Sequence, residues 1–341
     1  MKVLNIVGLA IVVFIIVFLI LGIVVPGDYI VEREITIEAP PEFIFQHVKY
    51  WKNWQEWSPW AERDSTMQVT VEGEDGKPNS VYRWEGNSDI TGSGEMIAMG
   101  IKENEEFTYQ LYFKVPWESQ SNGYTRLLPT IDGTTVVWGF TGIDPFPWNV
   151  VMLFMNIDSM VGPDFERGLE RLKAICEEEM EIISAYEVES IEYPGQTYIG
   201  IRDTVSFRDM QRFFQESFAR MMPAIQKTGA IIAGPPAGIY FTWDEEHQHT
   251  DMAAAMMVDN PFEMNPVVIL EIPESKGYSV DHYGSYDRLK YAHMALRMYF
   301  KENNLSYGAP TIEEYISDPD PESDSTEWLT KVRHFSVEIS D

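Results

Sequence analysis

Near the C-terminus, Pro310-Thr311-Ile312-Glu313-Glu314-Tyr315 repeats the layout of an earlier stretch, Pro235-Pro236-Ala237-Gly238-Ile239-Tyr240, so that Pro235-x-x-x-x-Tyr240 and Pro310-x-x-x-x-Tyr315 share one spacing. Their surroundings repeat as well. Ser206-Phe207-Arg208-Asp209 reads as a capping-box-like start to a helix through about Thr228, and Ser285-Tyr286-Asp287 opens a second through about Asn303. Each helix runs into a Gly/Pro turn, then the tyrosine strand, then a closing strand: Asp251 to Val258 in the first unit, Trp328 to Val337 in the second. Two such units are expected to pack about an approximate dyad and leave a groove at their junction.

The chemistry of that groove follows from strand geometry. Residues two apart on a strand share a face, so Glu313 and Tyr315 point into the same space; a register slip of one would put Glu314 there instead. A carboxylate among aromatic rings favours a flat cationic ligand, because charge pairing and cation–π attraction both strengthen as water is excluded. Tyr198, Tyr240 and Trp243 are the candidate aromatic walls. His247 and His249, in Asp244-Glu245-Glu246-His247-Gln248-His249, have the look of a metal clip, but a polar tract of this kind reads first as a solvated loop. No metal site and no cofactor is expected.

Residues 186 to 339 resemble the GyrI-like small-molecule-binding domains, the effector-binding domains of AraC-type and multidrug-responsive regulators. The resemblance lies in Tyr193-Pro194-Gly195-Gln196-Thr197-Tyr198, in Gly234 to Tyr240, in Gly284 to Leu289 and in Pro310 to Tyr315. It implies that the acid two residues before the last tyrosine, Glu313 here, lies in the ligand groove; the first repeat has Gly238 at that position. The regulators carry a DNA-reading helix-turn-helix, and this chain has none of its pattern.

The preceding half is a different domain. Tyr29 to Glu38 alternates Val31, Arg33, Ile35 and Ile37 with Glu32, Glu34, Thr36 and Glu38, a strand with one buried face to which Arg33 is the exception. A helix start follows at Ala39-Pro40-Pro41, and Trp51, Trp54, Trp57 and Trp60 then recur at every third position. Strand patterns lie at about Met67 to Glu72, Ser80 to Glu85, Gly94 to Gly100, Phe107 to Val115, Tyr124 to Pro129 and Thr134 to Thr141. A last helix runs from Asp164 to about Ile182, with Phe165, Leu169, Leu172 and Cys176 on one face. The order of these elements, with Trp57-Ser58-Pro59-Trp60, Tyr82-Arg83-Trp84 and Gly133 to Trp138, resembles the SRPBCC (polyketide cyclase-like, START-like) helix-grip proteins over about residues 29 to 182. That resemblance implies an antiparallel sheet curled around the long helix, with an apolar cavity for lipids or polyketides. Trp57, Trp60 and Trp84 are then candidates for its wall; the alternative is that they pack the core and its rim. His47 is the only histidine in this half and shows no paired acid or second imidazole in the pattern.

From Leu4 to Val25 there is no charged residue. At 1.5 Å per residue this run is about 33 Å long, enough to span a hydrocarbon core of about 30 Å. A cleaved signal peptide is the alternative, but the run exceeds a usual h-region and ends in Val24-Val25-Pro26-Gly27-Asp28 without a small-x-small site. With Lys2 before the span and Asp28, Glu32 and Glu34 after it, the soluble part is expected outside the cytoplasm.

The whole chain, 341 residues, carries 54 Asp and Glu against 25 Lys and Arg, a formal charge of −29. That makes nucleic acid an improbable partner. One cysteine, Cys176, permits no intramolecular disulfide. The expected architecture is α+β: a membrane anchor (1–28), a helix-grip domain (29–182) and a duplicated small-molecule-binding domain (186–341). The expected function is that of a single-pass, membrane-anchored, non-enzymatic binder of hydrophobic or cationic small molecules. The alternative is a hydrolase or cyclase in which Glu313, assisted by Tyr315, activates water; a Glu313 carboxyl raised by burial would favour it.

Overall fold

The computed structural model describes residues 2–116, 118–245, 247–317 and 324–337. Glu246 of the histidine tract and the last residues expected in the second domain, 338–341, lie outside them. The chain divides into two compact units, Met1–Met180 and Glu181–Asp341.

The first unit opens with helix α1 (Lys2–Val24), of which Ile6–Val24 is long and apolar enough to cross a membrane and is buried nowhere. Seven strands follow: β1 (Asp28–Ile37), β2 (Gln68–Glu72), β3 (Val81–Glu85), β4 (Ser93–Lys102), β5 (Glu106–Val115), β6 (Ser119–Thr130) and β7 (Gly133–Ile143). They form one antiparallel sheet in the order β1-β7-β6-β5-β4-β3-β2. Helix α2 (Pro41–Lys49) and the short helices α3 (Trp54–Trp57) and α4 (Pro59–Arg63) connect β1 to β2, and α5 (Trp148–Val151) and α6 (Ile157–Ser184) close the unit. The sequence pattern starts α6 at Asp164, whereas it begins before Pro163 and carries that proline inside it. Proline removes one hydrogen bond near a helix start without ending the helix.

Helix α6 buries the face read from its spacing: Phe165, Leu169, Leu172 and Cys176 are all inaccessible to solvent or nearly so. Phe165 stacks on Trp138 of β7 with ring centroids 4.2 Å apart. Trp57 and Trp60 meet the same Trp138 ring edge-on, at 4.9 and 5.8 Å. Arg33, the polar member of the inner face of β1, reaches α6 and pairs with Asp158 and Glu166 at 2.7 and 2.6 Å. The buried tryptophans spend their indole N–H groups internally: Trp51 on Ser80 Oγ, Trp54 on the Val48 carbonyl, Trp57 on the His47 carbonyl and Trp138 on the Tyr109 hydroxyl. A buried indole without an acceptor would cost about 1–3 kcal/mol, so these bonds are what allow so much aromatic volume inside.

The second unit is two copies of β–α–β–β. The first comprises β8 (Glu189–Ser206), α7 (Met210–Thr228), β9 (Ile232–Tyr240) and β10 (His249–Val258); the second comprises β11 (Val268–Tyr283), α8 (Leu289–Glu302), β12 (Ser306–Tyr315) and β13 (Leu329–Val337). The serines before the helices do not cap them. Ser206 and Ser285 sit one 3-10 turn upstream, at Phe207–Asp209 and Tyr286–Arg288, and make no capping hydrogen bond there. The six strands close into a barrel in the order β10-β8-β11-β13-β12-β9. Small residues make that closure fit: Ala237, Ala253 and Ala255 share the interior with Tyr198, Ile239 and Phe335. Alternate residues of the same strands face outward, where Met221 and Ile225 of α7 cover Ile199 and Ala254, and Leu296 and Phe300 of α8 cover Val280 and Val332. With both strand faces buried, β10 reads as a continuous apolar run rather than an alternation.

Trp138 joins the sheet, the tryptophan turns and α6, so Trp138→Ala should cost the first unit about 3–5 kcal/mol. Cys176 is buried in that unit and is the chain's only thiol. Its labelling rate in mild denaturant should therefore rise by about a hundredfold or more in the variant; an unchanged rate would show that α6 is held independently of Trp138.

Candidate functional site

The two tyrosine strands, β9 and β12, lie side by side and antiparallel, with Glu313 directly opposite Gly238 and Thr311 opposite Tyr240. The positions equated by the repeat, Gly238 and Glu313, are thus cross-strand partners, and the approximate dyad passes between them. Strand alternation sends Ile312 and Glu314 into the barrel and Glu313 and Tyr315 outward, into a groove of about 1820 Å³. Helices α7 and α8 flank this groove, contributing Met210, Phe214 and Phe218 from one and Leu289, His293 and Arg297 from the other. Gly238 keeps its floor open. A Cβ there would come within 2.9 Å of both Phe214 and the Tyr315 hydroxyl.

Glu313 is only 7% exposed. Its Oε2 accepts hydrogen bonds from the Tyr315 and Tyr240 hydroxyls at 2.7 and 3.0 Å, and its Oε1 lies 2.7 Å from His293 Nε2. Burial pushes its carboxyl up, but the hydrogen bond and charge of His293 and the two tyrosine hydroxyls outweigh that and hold it below the usual carboxylate range. This direction is opposite to the raised value that would have favoured a general base. Conversely, burial beside the Glu313 charge drives the Tyr240 and Tyr315 hydroxyls well above their ordinary value, so both remain donors. Among the described lining residues the acids are Glu245, Asp287 and Glu313 and the permanent cations are Lys290 and Arg297. Glu313 is the one buried acid among them.

Tyr240 and Tyr315 therefore meet at Glu313, and Trp243 stands at the mouth, 51% exposed, stacked on Phe207 at 4.3 Å and edge-on to Tyr240 at 6.0 Å. Tyr198 is not a groove wall. It points to the other side of β8, into the barrel, where its hydroxyl bonds the Tyr193 hydroxyl and donates to Glu314 Oε1. Glu314 is equally buried but belongs to that interior, paired with Arg333 at 2.5 Å. The two adjacent acids thus occupy opposite faces of β12, as strand alternation requires. In the first unit, Trp57 is fully buried, Trp60 half-buried, and Trp84 packs between Tyr82 and Phe113 with its N–H donated to the Thr91 carbonyl. Ring-to-ring packing accounts for all three positions without a ligand.

The sequence pattern missed the histidines. His293 Nδ1 lies 3.0 Å from His334 Nε2, and the Tyr307 hydroxyl contacts His334 in turn. With both rings neutral, each N–H or O–H has one acceptor: Tyr307 gives to His334, His334 to His293, and His293 to the Glu313 carboxylate. A signal was present in the sequence, since His293 follows Leu289 and precedes Leu296 on the apolar side of α8; nothing local tied it to β12 or β13. His47, too, has an acid partner, Glu179 of α6 at 3.1 Å, which the sequence separates widely from it. His247 bonds Asp244 within its own exposed turn, and among the described residues no three His, Cys, Asp or Glu side chains converge on a metal position.

Burial, reinforced by the charges of His293 and Arg297, keeps His334 well below its ordinary value near 6.5, and burial lowers His282 as well. Both stay neutral in the folded unit but take up a proton when unfolded. Their contribution is therefore complete above about pH 6.5 and declines as the pH falls below it, by up to about 1.4 kcal/mol per pH unit for each ring. Denaturation of the second unit followed between roughly pH 7 and pH 5 should show this slope, and His334→Asn should flatten it; a slope unchanged in the variant would place the proton uptake elsewhere.

Comparison with known proteins accords with this geometry. Residues 186–333 match the family described as GyrI-like small molecule binding domain, and residues 29–177 match polyketide cyclase / dehydrase and lipid transport. No curated protein matches the chain. Among solved structures, the EcmrR C-terminal domain is 21% identical over 46% of this chain and 99% of its own, with a TM-score of 0.38. EcmrR in its DNA complex is 18% identical over 56% of this chain and 76% of its own, TM-score 0.40. A hydrolase from Listeria innocua is 14% identical over 47% of this chain and 98% of its own, TM-score 0.34. The chain thus joins a polyketide cyclase-type (SRPBCC) domain to a GyrI-like small-molecule-binding domain behind an apolar N-terminal helix.

Proposed function

We propose that this is a single-pass, membrane-anchored protein that binds hydrophobic or cationic small molecules without transforming them, serving to sense or sequester them. The observation that carries the reading is Glu313: an ionised carboxylate on the floor of an aromatic groove large enough for a drug-sized ligand. Desolvating a carboxylate costs several kcal/mol unless hydrogen bonds or an opposite charge offset it. Three donors meet part of that cost and leave the net negative charge in place, so a flat cation against Tyr240, Tyr315 and Trp243 would meet the remainder. The apolar helix supports the anchoring half of the proposal, and the acidic chain following it supports an extracytoplasmic placement.

A second reading has one observation in its favour: the chain Tyr307–His334–His293 behind Glu313 is a ready path for a proton, which a hydrolase using Glu313 with Tyr315 would need. The lowered Glu313 carboxyl weighs against it, since a weaker base removes a proton from water less readily at neutral pH.

Thermal shift and titration of the full chain in detergent against planar lipophilic cations and neutral lipids separate these readings. Some cations should stabilise it, and Glu313→Gln should weaken their binding by about 1.5–3 kcal/mol, roughly ten- to a hundredfold. Glu245→Gln, at the exposed mouth, should change it less than about threefold. Silence across the whole panel would sink the binding proposal, and turnover of an activated ester abolished in Glu313→Gln would replace it with the hydrolase. For the topology, alkaline phosphatase fused after residue 40 should be active; an inactive fusion would place the domains in the cytoplasm.

A further inference from the structure

Residues 145–157, Pro-Phe-Pro-Trp-Asn-Val-Val-Met-Leu-Phe-Met-Asn-Ile, contain no charged side chain in a protein of net charge −29. They include α5, and most of their bulk is outside the core: Phe154 is 85% exposed and Trp148 is 56% exposed, with Phe146, Leu153 and Met155 also open to solvent. An apolar surface of this extent on an acidic protein marks a contact with something else. The structure indicates what that is, because the surface is continuous with the end of α1. The Phe146 ring lies 5.7 Å from that of Phe18 and packs so closely on Gly22 that a Cβ there would overlap it. Asn149, buried, donates from Nδ2 to the carbonyls of both Gly22 and Val25 at 3.0 Å, satisfying backbone acceptors that the helix end leaves unpaired. The exposed aromatic side chains therefore sit at the level where α1 stops.

We propose that residues 146–155 form a second, in-plane membrane contact, lying in the headgroup–acyl boundary of the bilayer that α1 enters and holding the first unit against it. This rests on the reading of α1 as a bilayer span. If α1 crosses the hydrocarbon core, its last turn lies at that boundary, where tryptophan and phenylalanine partition favourably. Charge points the same way. An anionic leaflet repels the acidic surface, and a stretch without charges is the face that can approach it. Asn149 and Phe146 act as positioning residues, fixing the segment to the helix end so that both contacts are made at one depth.

The test uses the full-length chain reconstituted in phosphatidylcholine–phosphatidylglycerol vesicles, with one nitroxide attached at Phe154→Cys or, as a second site, Leu153→Cys. Cys176 is buried, and burial pushes its thiol up, so the introduced cysteine takes the label. Reference labels go at Phe14→Cys in α1 and at Ile131→Cys in the β6–β7 turn, where the native side chain is 98% exposed. The ratio of collision with oxygen to collision with a water-soluble nickel chelate should be several-fold higher at 154 and 153 than at 131, in the direction shown at 14. A ratio at 154 and 153 like that at 131, with position 14 in lipid, overturns the proposal and leaves the anchor standing. Shielding from both reagents, as at a contact with a second copy or another protein, also overturns it. A water-exposed label at position 14 removes the anchor reading and this inference together.

Discussion

The second unit is organised around one buried negative charge. Glu313 can remain ionised at 7% exposure because three hydrogen-bond donors reach it from three different elements: Tyr240 from β9, Tyr315 from its own β12, and His293 from α8. Each donor requires part of the fold to be in place. The β9–β12 pairing brings Tyr240 within reach, strand alternation puts Tyr315 on the same face, and packing of α8 on the barrel delivers the imidazole. Removing any of them would leave a buried carboxylate under-compensated, so site and fold depend on each other.

The duplication explains how such a centre is built without two opposed charges. At an exact dyad, equivalent residues face each other, and two glutamates across the β9–β12 ladder would repel. The chain places Gly238 opposite Glu313 instead, and the space that a side chain would have taken is occupied by Phe214, Tyr240 and the Tyr315 hydroxyl. Departure from the repeat at one position converts a symmetric scaffold into an asymmetric site. The first unit uses the same resources differently. Its tryptophans, each with its indole N–H satisfied inside, stack on Trp138 and α6 and pack space that the helix-grip fold would otherwise leave hollow.

Much of this was legible in the sequence. Alternation and turn residues marked the strands of the first sheet to within a few positions, and the four-three-four spacing of Phe165, Leu169, Leu172 and Cys176 marked the buried face of α6. Glu313, Tyr315 and Tyr240 could be brought together because strand periodicity and the repeat are local or near-local patterns. Tyr198 misled because β8 is buried on both faces: one side faces the helix layer, the other the barrel, and the residue type does not say which.

What the sequence by itself determined, then, was everything carried by period and repetition: the apolar N-terminal run, two α+β halves, the duplicated unit and the carboxylate two residues before a tyrosine. The tertiary structure decided what depends on closure. Whether Glu313 or Glu314 faces the groove, that His293 and His334 stand in line behind it, that His47 meets Glu179, and that Asn149 caps the end of α1 all bring together residues far apart in the chain. Their proximity is set by the barrel order, the helix packing and the pairing of β1 with β7. Backbone periodicity is written in each segment, whereas a hydrogen bond between segments exists only once the chain has closed around it.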